Sequence, residues 1–436
     1  MVVRHHFRYL SAVMVASVVL TAGCGRGKPV TEVRPVAAVA PSGEETAAAE
    51  PIATSDDDFP WWRGTKGNGL ASGAVPTKWS ATENVVWSVP VPGKGHASPI
   101  VWGNQVFIAT ADDAKQTMSL ISFDRATGKE GWTRILHEGG FMHTHGKNTQ
   151  ASPTPACDGK HVYWTAMVKD AIWVSAVTLD GQIAWQTEAG PFVSMHGYGS
   201  SPILFGKLVI VQGDSNGPGW LGALDKESGK IVWRVQRGNG ASFATPVIAE
   251  VAGKTQLLLA GQEKVVSYDP LTGKKHWEAE GPATVCANQL AWNDELIFVS
   301  GGYPQRATWA MKADGSGEVV WKKNWKCYVP SMVVAEGRLI VPQDDGIVHC
   351  VEAASGKELW FKRLGEMSAS PVLVDGKLLV TTESGKTHVL AFGDTFEQLA
   401  ENENGDRCYA TPTVCGGRIY LRNFSQLLCL GPAEKL

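Results

Sequence analysis

The sequence predicts an all-β fold, an eight-bladed β-propeller of four-stranded blades whose ring is closed by a strand from its N-terminal side. Three observations predict it. Gly followed four residues later by Trp recurs at Gly128/Trp132, Gly181/Trp185, Gly229/Trp233, Gly273/Trp277, Gly317/Trp321 and Gly356/Trp360. Between these marks a second one recurs: Ser-Pro or Thr-Pro, an apolar stretch, a Gly-containing turn and another apolar stretch, with Pro at 99, 153, 202, 246, 371 and 412. The last unit, Thr411 to Gly431, stops one strand short, while an unclaimed strand, Asn84 to Val89, stands ahead of the first unit. A fixed internal period is the sequence signature of a repeat architecture.

Each element follows from local chemistry. The glycines of the first mark are preceded by Asp, Ser or Thr, as in Asp124-Arg125-Ala126-Thr127-Gly128 and Asp225-Lys226-Glu227-Ser228-Gly229. Such side chains bond the local backbone and Gly accepts positive φ, so each mark reads as strand, tight turn, strand carrying Trp. Runs such as Leu208 to Val211 and Lys377 to Thr381 read as central strands buried on both faces. Pro suits the first residue of a strand. One unit is therefore strand A from Ser-Pro, B after the first turn, C ending in the Thr-Gly turn and D carrying Trp. Units begin at residues 98, 152, 201, 245, about 287, 331 and 370. Unit five has Cys286-Ala287-Asn288-Gln289 at its start, unit six the inverted pair Pro330-Ser331, and unit seven ends in Leu399 instead of Trp. The anchors 87, 132, 185, 233, 277, 321, 360 and 399 are spaced about 45 residues apart, a blade's length. Trp87, Trp132, Trp185, Trp233, Trp277, Trp321 and Trp360 read as rings docked between blades, since Trp buries much apolar area. Closure by the N-terminal strand removes open sheet edges.

Ahead of the ring stand two further segments. Residues 1–23 have a basic start at Arg4 and Arg8 and an apolar run from Leu10 to Leu20, too short for a membrane-spanning helix, and read as a signal peptide. Leu20-Thr21-Ala22-Gly23-Cys24 resembles the lipobox of bacterial lipoproteins, with Thr21 where that pattern favours Leu, and implies lipidation of Cys24. Residues 24–58 are rich in Ala, Pro, Glu, Thr and Ser and read as a flexible tether; residues 59–436 are the propeller domain. The expected setting is an exported, lipid-anchored protein on the periplasmic or outer-membrane face. Removal of residues 1–23 leaves a net charge of −5 with no basic stripe, which argues against nucleic acid. Beyond Cys24 there are Cys157, Cys286, Cys327, Cys350, Cys408, Cys415 and Cys429, none in a C-x-x-C pair, and small buried strand residues are the simpler reading than metal ligands.

The string Ala223-Leu224-Asp225-Lys226-Glu227-Ser228-Gly229-Lys230-Ile231-Val232-Trp233 resembles the tryptophan-docking repeat of the propellers of pyrroloquinoline-quinone type, and the likeness runs from residue 79 to 431. That resemblance implies one of three branches: quinoprotein dehydrogenases holding the quinone and calcium in the channel; non-enzymatic propeller lipoproteins of outer-membrane β-barrel assembly; or planctomycete-type repeat proteins. The third is suggested by Trp61-Trp62-Arg63-Gly64 with Gly93 to Pro99. The dehydrogenase branch commonly carries an adjacent cysteine pair, and here no two cysteines adjoin.

Other catalytic patterns are missing or incomplete. Gly253-Lys254-Thr255 and Gly385-Lys386-Thr387 lack the upstream Gly of a phosphate loop, and there is no H-E-x-x-H or G-x-S-x-G. Asp112-Asp113 and Asp344-Asp345 read as turn residues. The uneven feature is histidine: His96, His143, His145 and His196 lie just upstream of the A strands of the first three units. The stretches from Trp132 to Ser152 and Trp185 to Ser201 are long beside that from Trp87 to Ser98, and read as enlarged D-to-A loops gathered at one channel mouth. His96, His143, His145, Lys147, Asn148, His196 and Tyr198 are the candidate binding residues, with Asp214, Asn216 and Arg306 on the same face. A plainer reading, loop residues satisfying backbone groups, competes with it. The expected function is a monomeric, non-catalytic scaffold or ligand-binding propeller that takes an envelope protein or small ligand at the channel mouth, with no cofactor or metal. A dehydrogenase using pyrroloquinoline quinone and calcium is the alternative.

Overall fold

The Gly-x-x-x-Trp marks fold as the turns their residues dictate. At Asp124 the carboxylate accepts the Thr127 N–H at 2.8 Å while the Gly128 N–H reaches the Asp124 carbonyl, and Gly128 sits at φ 72°. Each turn then receives the tryptophan of the preceding blade. The Trp87 indole donates to the Arg125 carbonyl at 3.0 Å, and a Cβ on Gly128 would lie only 2.7 Å from that ring. Trp132 on Leu179, Trp185 on Lys226, Trp321 on Ala353 and Trp360 on Gly393 repeat the bond at 2.9–3.0 Å. Trp277 makes it through Gln256, whose amide passes on to the Ala313 carbonyl. Trp233 differs: its ring is fully buried, and its N–H has no partner among the described residues. Gly and Trp thus repeat together because one docks on the other.

The computed structural model describes residues 37–40 and 49–432. Its strands form eight sheets, seven of four strands and one of five, with no helix among the described residues. Blade one runs Ile100–Trp102, Gln105–Asp112, Thr117–Asp124 and Glu130–Glu138, and blades two to seven repeat that meander. Blade eight has Thr413–Cys415, Arg418–Arg422 and Gln426–Leu430, and is completed by Val85–Pro90, which pairs antiparallel with Trp87 opposite Cys429. The ring closes where the missing fourth strand required it to.

The Ser/Thr-Pro mark also acquires a cause. The Ser98 N–H donates to the Thr154 hydroxyl at 3.0 Å, Thr154 N–H to Ser201, Ser201 to Thr245, Gln289 to Ser331, Ser331 to Ser370 and Ser370 to Thr411. Each hydroxyl at the head of an A strand satisfies a buried donor of the neighbouring blade. This ladder corrects two unit starts. Unit two begins at Thr154-Pro155 and not at 152, and unit five at Gln289, because only those residues stand in register with the ladder.

The segment from Phe59 to Gly73 forms a strap at the end of the ring where the A-to-B and C-to-D turns lie, here the turn end. Phe59 exchanges two 2.9 Å backbone bonds with Val101 of blade one, and the Pro60 carbonyl accepts the Cys157 N–H of blade two. Leu70–Ala71 adds to blade seven as its fifth strand, parallel to Val372–Val374. Between them Arg63, 1% exposed, donates to the carbonyls of Met332 and Asn68 and to the Gln289 amide oxygen. Burial pulls its pKa down to about 9, still charged at neutral pH. Within the span assigned to the tether, Val39 pairs with Arg234, Ile52 packs on the core of blades two and three, and Asp58 accepts the Gly103 N–H. The ordered body therefore takes in residues ahead of 59. Residues 1–36, with the expected signal peptide and Cys24, lie outside the described residues.

Candidate functional site: the loop end of the channel

The opposite end of the ring carries the D-to-A and B-to-C loops. Residues 139–155 lead into blade two, 192–202 into blade three and 237–246 into blade four. The first is enlarged as expected. The second is hardly longer than the third, because the fourth strand of blade two, Ile183–Pro191, is long and bulged and takes up residues that read as loop.

The two loops are tied to each other. The His145 N–H donates to the His196 carbonyl at 3.1 Å, and the Asn148 amide to the same carbonyl at 2.8 Å. The His145 and His196 rings meet edge-on at 5.9 Å, and His196 leans on Phe243 at 6.0 Å. His143, His145 and His196 are exposed. From this base Lys147 reaches over to blade seven, its ammonium 2.9 Å from Glu383 and 3.6 Å from Glu366. Burial works against the charge of that ammonium, but the bond to Glu383 and the fields of both carboxylates outweigh it and raise the Lys147 pKa. Asn148 mainly organises its own loop, its oxygen accepting the Thr149 N–H and the Ser152 hydroxyl.

Two candidates take other places. Tyr198 is 3% exposed, packed edge-on against Phe192, with its hydroxyl donating to the Gln212 carbonyl at 2.9 Å. It pins the loop and does not line the mouth, because a phenol can satisfy one buried carbonyl while its ring joins the core. His96 lies half-buried between blades eight and one, 4.8 Å from Tyr409 and 5.3 Å from Phe424. Burial, and then the nearby Arg422 charge, pull its pKa down to about 3, so it is neutral at physiological pH. Asp214, expected on this face, is fully buried in an ion pair with Arg237 at 2.7 Å. Asp344 accepts the N–H groups of Tyr328 and Val329, so it folds its loop.

Sequence reading missed Glu366, Glu383, Arg407 and Tyr409. Lys147 and Glu383 lie 236 residues apart, and only ring closure brings them together. It also missed a rim of exposed apolar residues on the loops of this end: Met195, 71% exposed, Tyr303, Val329 and Phe424.

The family model described as outer membrane protein assembly factor BamB matches residues 36–139, 116–296 and 309–407. The chain belongs to this family. BamB of Yersinia pestis is 24% identical over 317 residues, 66% of this chain and 72% of that protein. BamB of Moranella endobia (strain PCIT) is 26% identical over 284 residues, 63% of each. Among solved structures, BamB from Moraxella catarrhalis superposes with a TM-score of 0.58 at 14% identity, covering 81% of this chain and 98% of that one. The quinohemoprotein alcohol dehydrogenase from Comamonas testosteroni superposes with a TM-score of 0.65 at 13% identity, covering 87% and 81%. At such identities these likenesses are of fold, and fold alone does not choose between the BamB proteins and the dehydrogenases.

Proposed function

We propose that this chain is a non-catalytic propeller of the bacterial cell envelope, anchored through Cys24, that docks an envelope protein on its loop end over blades one to three and the adjoining blade eight. The observation that carries the reading is that loop end itself: histidine loops braced by Lys147 on a rigid ring, beside the exposed apolar residues Met195 and Phe424. Exposed apolar residues among polar ones are the composition of a protein contact. Membership of the BamB family, and relatives named as outer membrane assembly factors, support an assembly scaffold.

The donor set does not suit the quinone and calcium of the dehydrogenase branch. Among the described residues no three His, Cys, Asp or Glu groups gather as a metal would require. The seven cysteines beyond Cys24 are separate buried thiols, and the mouth carboxylates Glu366 and Glu383 are held by Lys147. Calcium needs six or more oxygen ligands, several of them carboxylate.

A photoreactive residue placed in cells at Met195 or Phe424 should crosslink one envelope protein, and one at Val320, on an outer strand, should not. Replacing His145, Lys147 and His196 together by Ala should weaken that capture, and Cys24→Ser should release the chain from the membrane fraction. Crosslinking only from Val320, or dye reduction on adding quinone and calcium, overturns the reading.

A further inference from the structure

At the turn end, opposite the loop mouth, a groove of about 950 Å³ opens between the strap and blades three to six. Three half-buried tryptophans line it, Trp61 and Trp62 from the strap and Trp292 from blade five. None of the three indole N–H groups has a partner among the described residues. Its lining is mostly acidic: Glu50, Glu250, Asp269, Asp294 and Glu336 face Lys66, with Glu336 also 3.6 Å from the Arg338 guanidinium and Asp269 bonded within its own turn.

The groove also borders the free edges of sheets. The innermost strands of blades three, four and six, Ile203–Phe205, Val247–Val251 and Val333–Ala335, run along it and have no second neighbour in their sheets among the described residues. In blades one and seven the same edge is occupied by the protein's own strap, Phe59 against Val101 and Leu70–Ala71 against Leu373 and Val374. The chain thus demonstrates that an extended segment entering from this end adds to these edges, and among the described residues none adds as a strand to blades three to six. An open edge with pockets for alternate side chains is the requirement for strand addition by a peptide. Carboxylates and aromatic faces around it select cations.

We propose that this groove binds an extended basic segment of a second protein, which adds as a strand along Val247–Val251 of blade four and sets its lysine or arginine side chains among the groove carboxylates. Phosphate-bearing ligands are repelled by the same charge. The site lies at the opposite end of the ring from the proposed loop-end contact and does not depend on it.

The test uses the full chain and intrinsic tryptophan fluorescence, titrated with a short acetylated peptide alternating Lys and Val. Saturable binding in the range of tens of micromolar is expected, weakening with salt and falling about tenfold in the Asp294→Lys/Glu336→Lys variant. Both substituted residues are exposed, so an unchanged melting temperature confirms that this variant is folded. The same peptide with alternate backbone nitrogens methylated should also lose about tenfold, since it cannot donate to the edge. Equal binding by a Glu-Val peptide or by the methylated peptide overturns the proposal. So does saturation by a neutral chito-oligosaccharide in place of the peptide, or no saturation up to about 1 mM. Loop-end crosslinking is a separate readout, so either result stands without the other.

Discussion

The two ends of this ring are built from the same eight meanders and solve opposite problems. At the turn end, tryptophans dock on glycine turns and the strap lies across the innermost strands with Arg63 buried beneath it. At the loop end the span from blade two to blade seven is made by one half-exposed lysine and two carboxylates. Backbone pairing and buried side chains make the first end costly to disturb. Solvent-screened contacts between long side chains leave the second adaptable, which is what a partner surface needs.

That contrast can be broken in order of expected effect. Gly181→Val places a Cβ against the Trp132 ring, 2.7 Å away, at φ 88°, and should cost about 4 kcal/mol in urea unfolding. A loss below about 1 kcal/mol would mean that the docking is soft. Arg63→Ala leaves the Met332 and Asn68 carbonyls without their donor and opens a cavity under the strap. About 3 kcal/mol is expected, together with faster proteolysis between residues 59 and 73.

Acid should act on the seam between blades eight and one. Folding holds His96 neutral, with a pKa of about 3, whereas the unfolded chain's histidine titrates near 6.5. The unfolded state therefore binds the extra proton, and stability falls as pH drops through 6.5 until the folded pKa is reached. Between pH 7 and pH 5 this amounts to about 2 kcal/mol, and His96→Phe should remove that part of the slope. An identical pH profile in the variant would assign the acid sensitivity elsewhere. The smallest effect belongs to the loop end. His145→Ala, Lys147→Ala and His196→Ala should each change stability by no more than about 0.5 kcal/mol. Unfolding of the triple variant would show these loops to be structural after all.

What the sequence determined by itself was everything carried by local chemistry: the strand–turn–strand units, the eightfold count and closure through Trp87, because Asp-x-x-Thr-Gly turns and β-branched runs need no distant partner to be recognised. It left ambiguity wherever two local solutions were equal. Ser152-Pro153-Thr154-Pro155 offers the repeat mark twice, and only the hydroxyl ladder from Ser98 to Ser201 selects Thr154. Tyr198 and His196, two residues apart, looked alike on paper, yet one closes a core and the other faces solvent. The tertiary structure alone decided the strap, the Lys147–Glu383 span and the acidic tryptophan groove. Each joins residues hundreds of positions apart, and their contact depends on how the closed ring sets one blade against another, a geometry that no periodicity along the chain encodes.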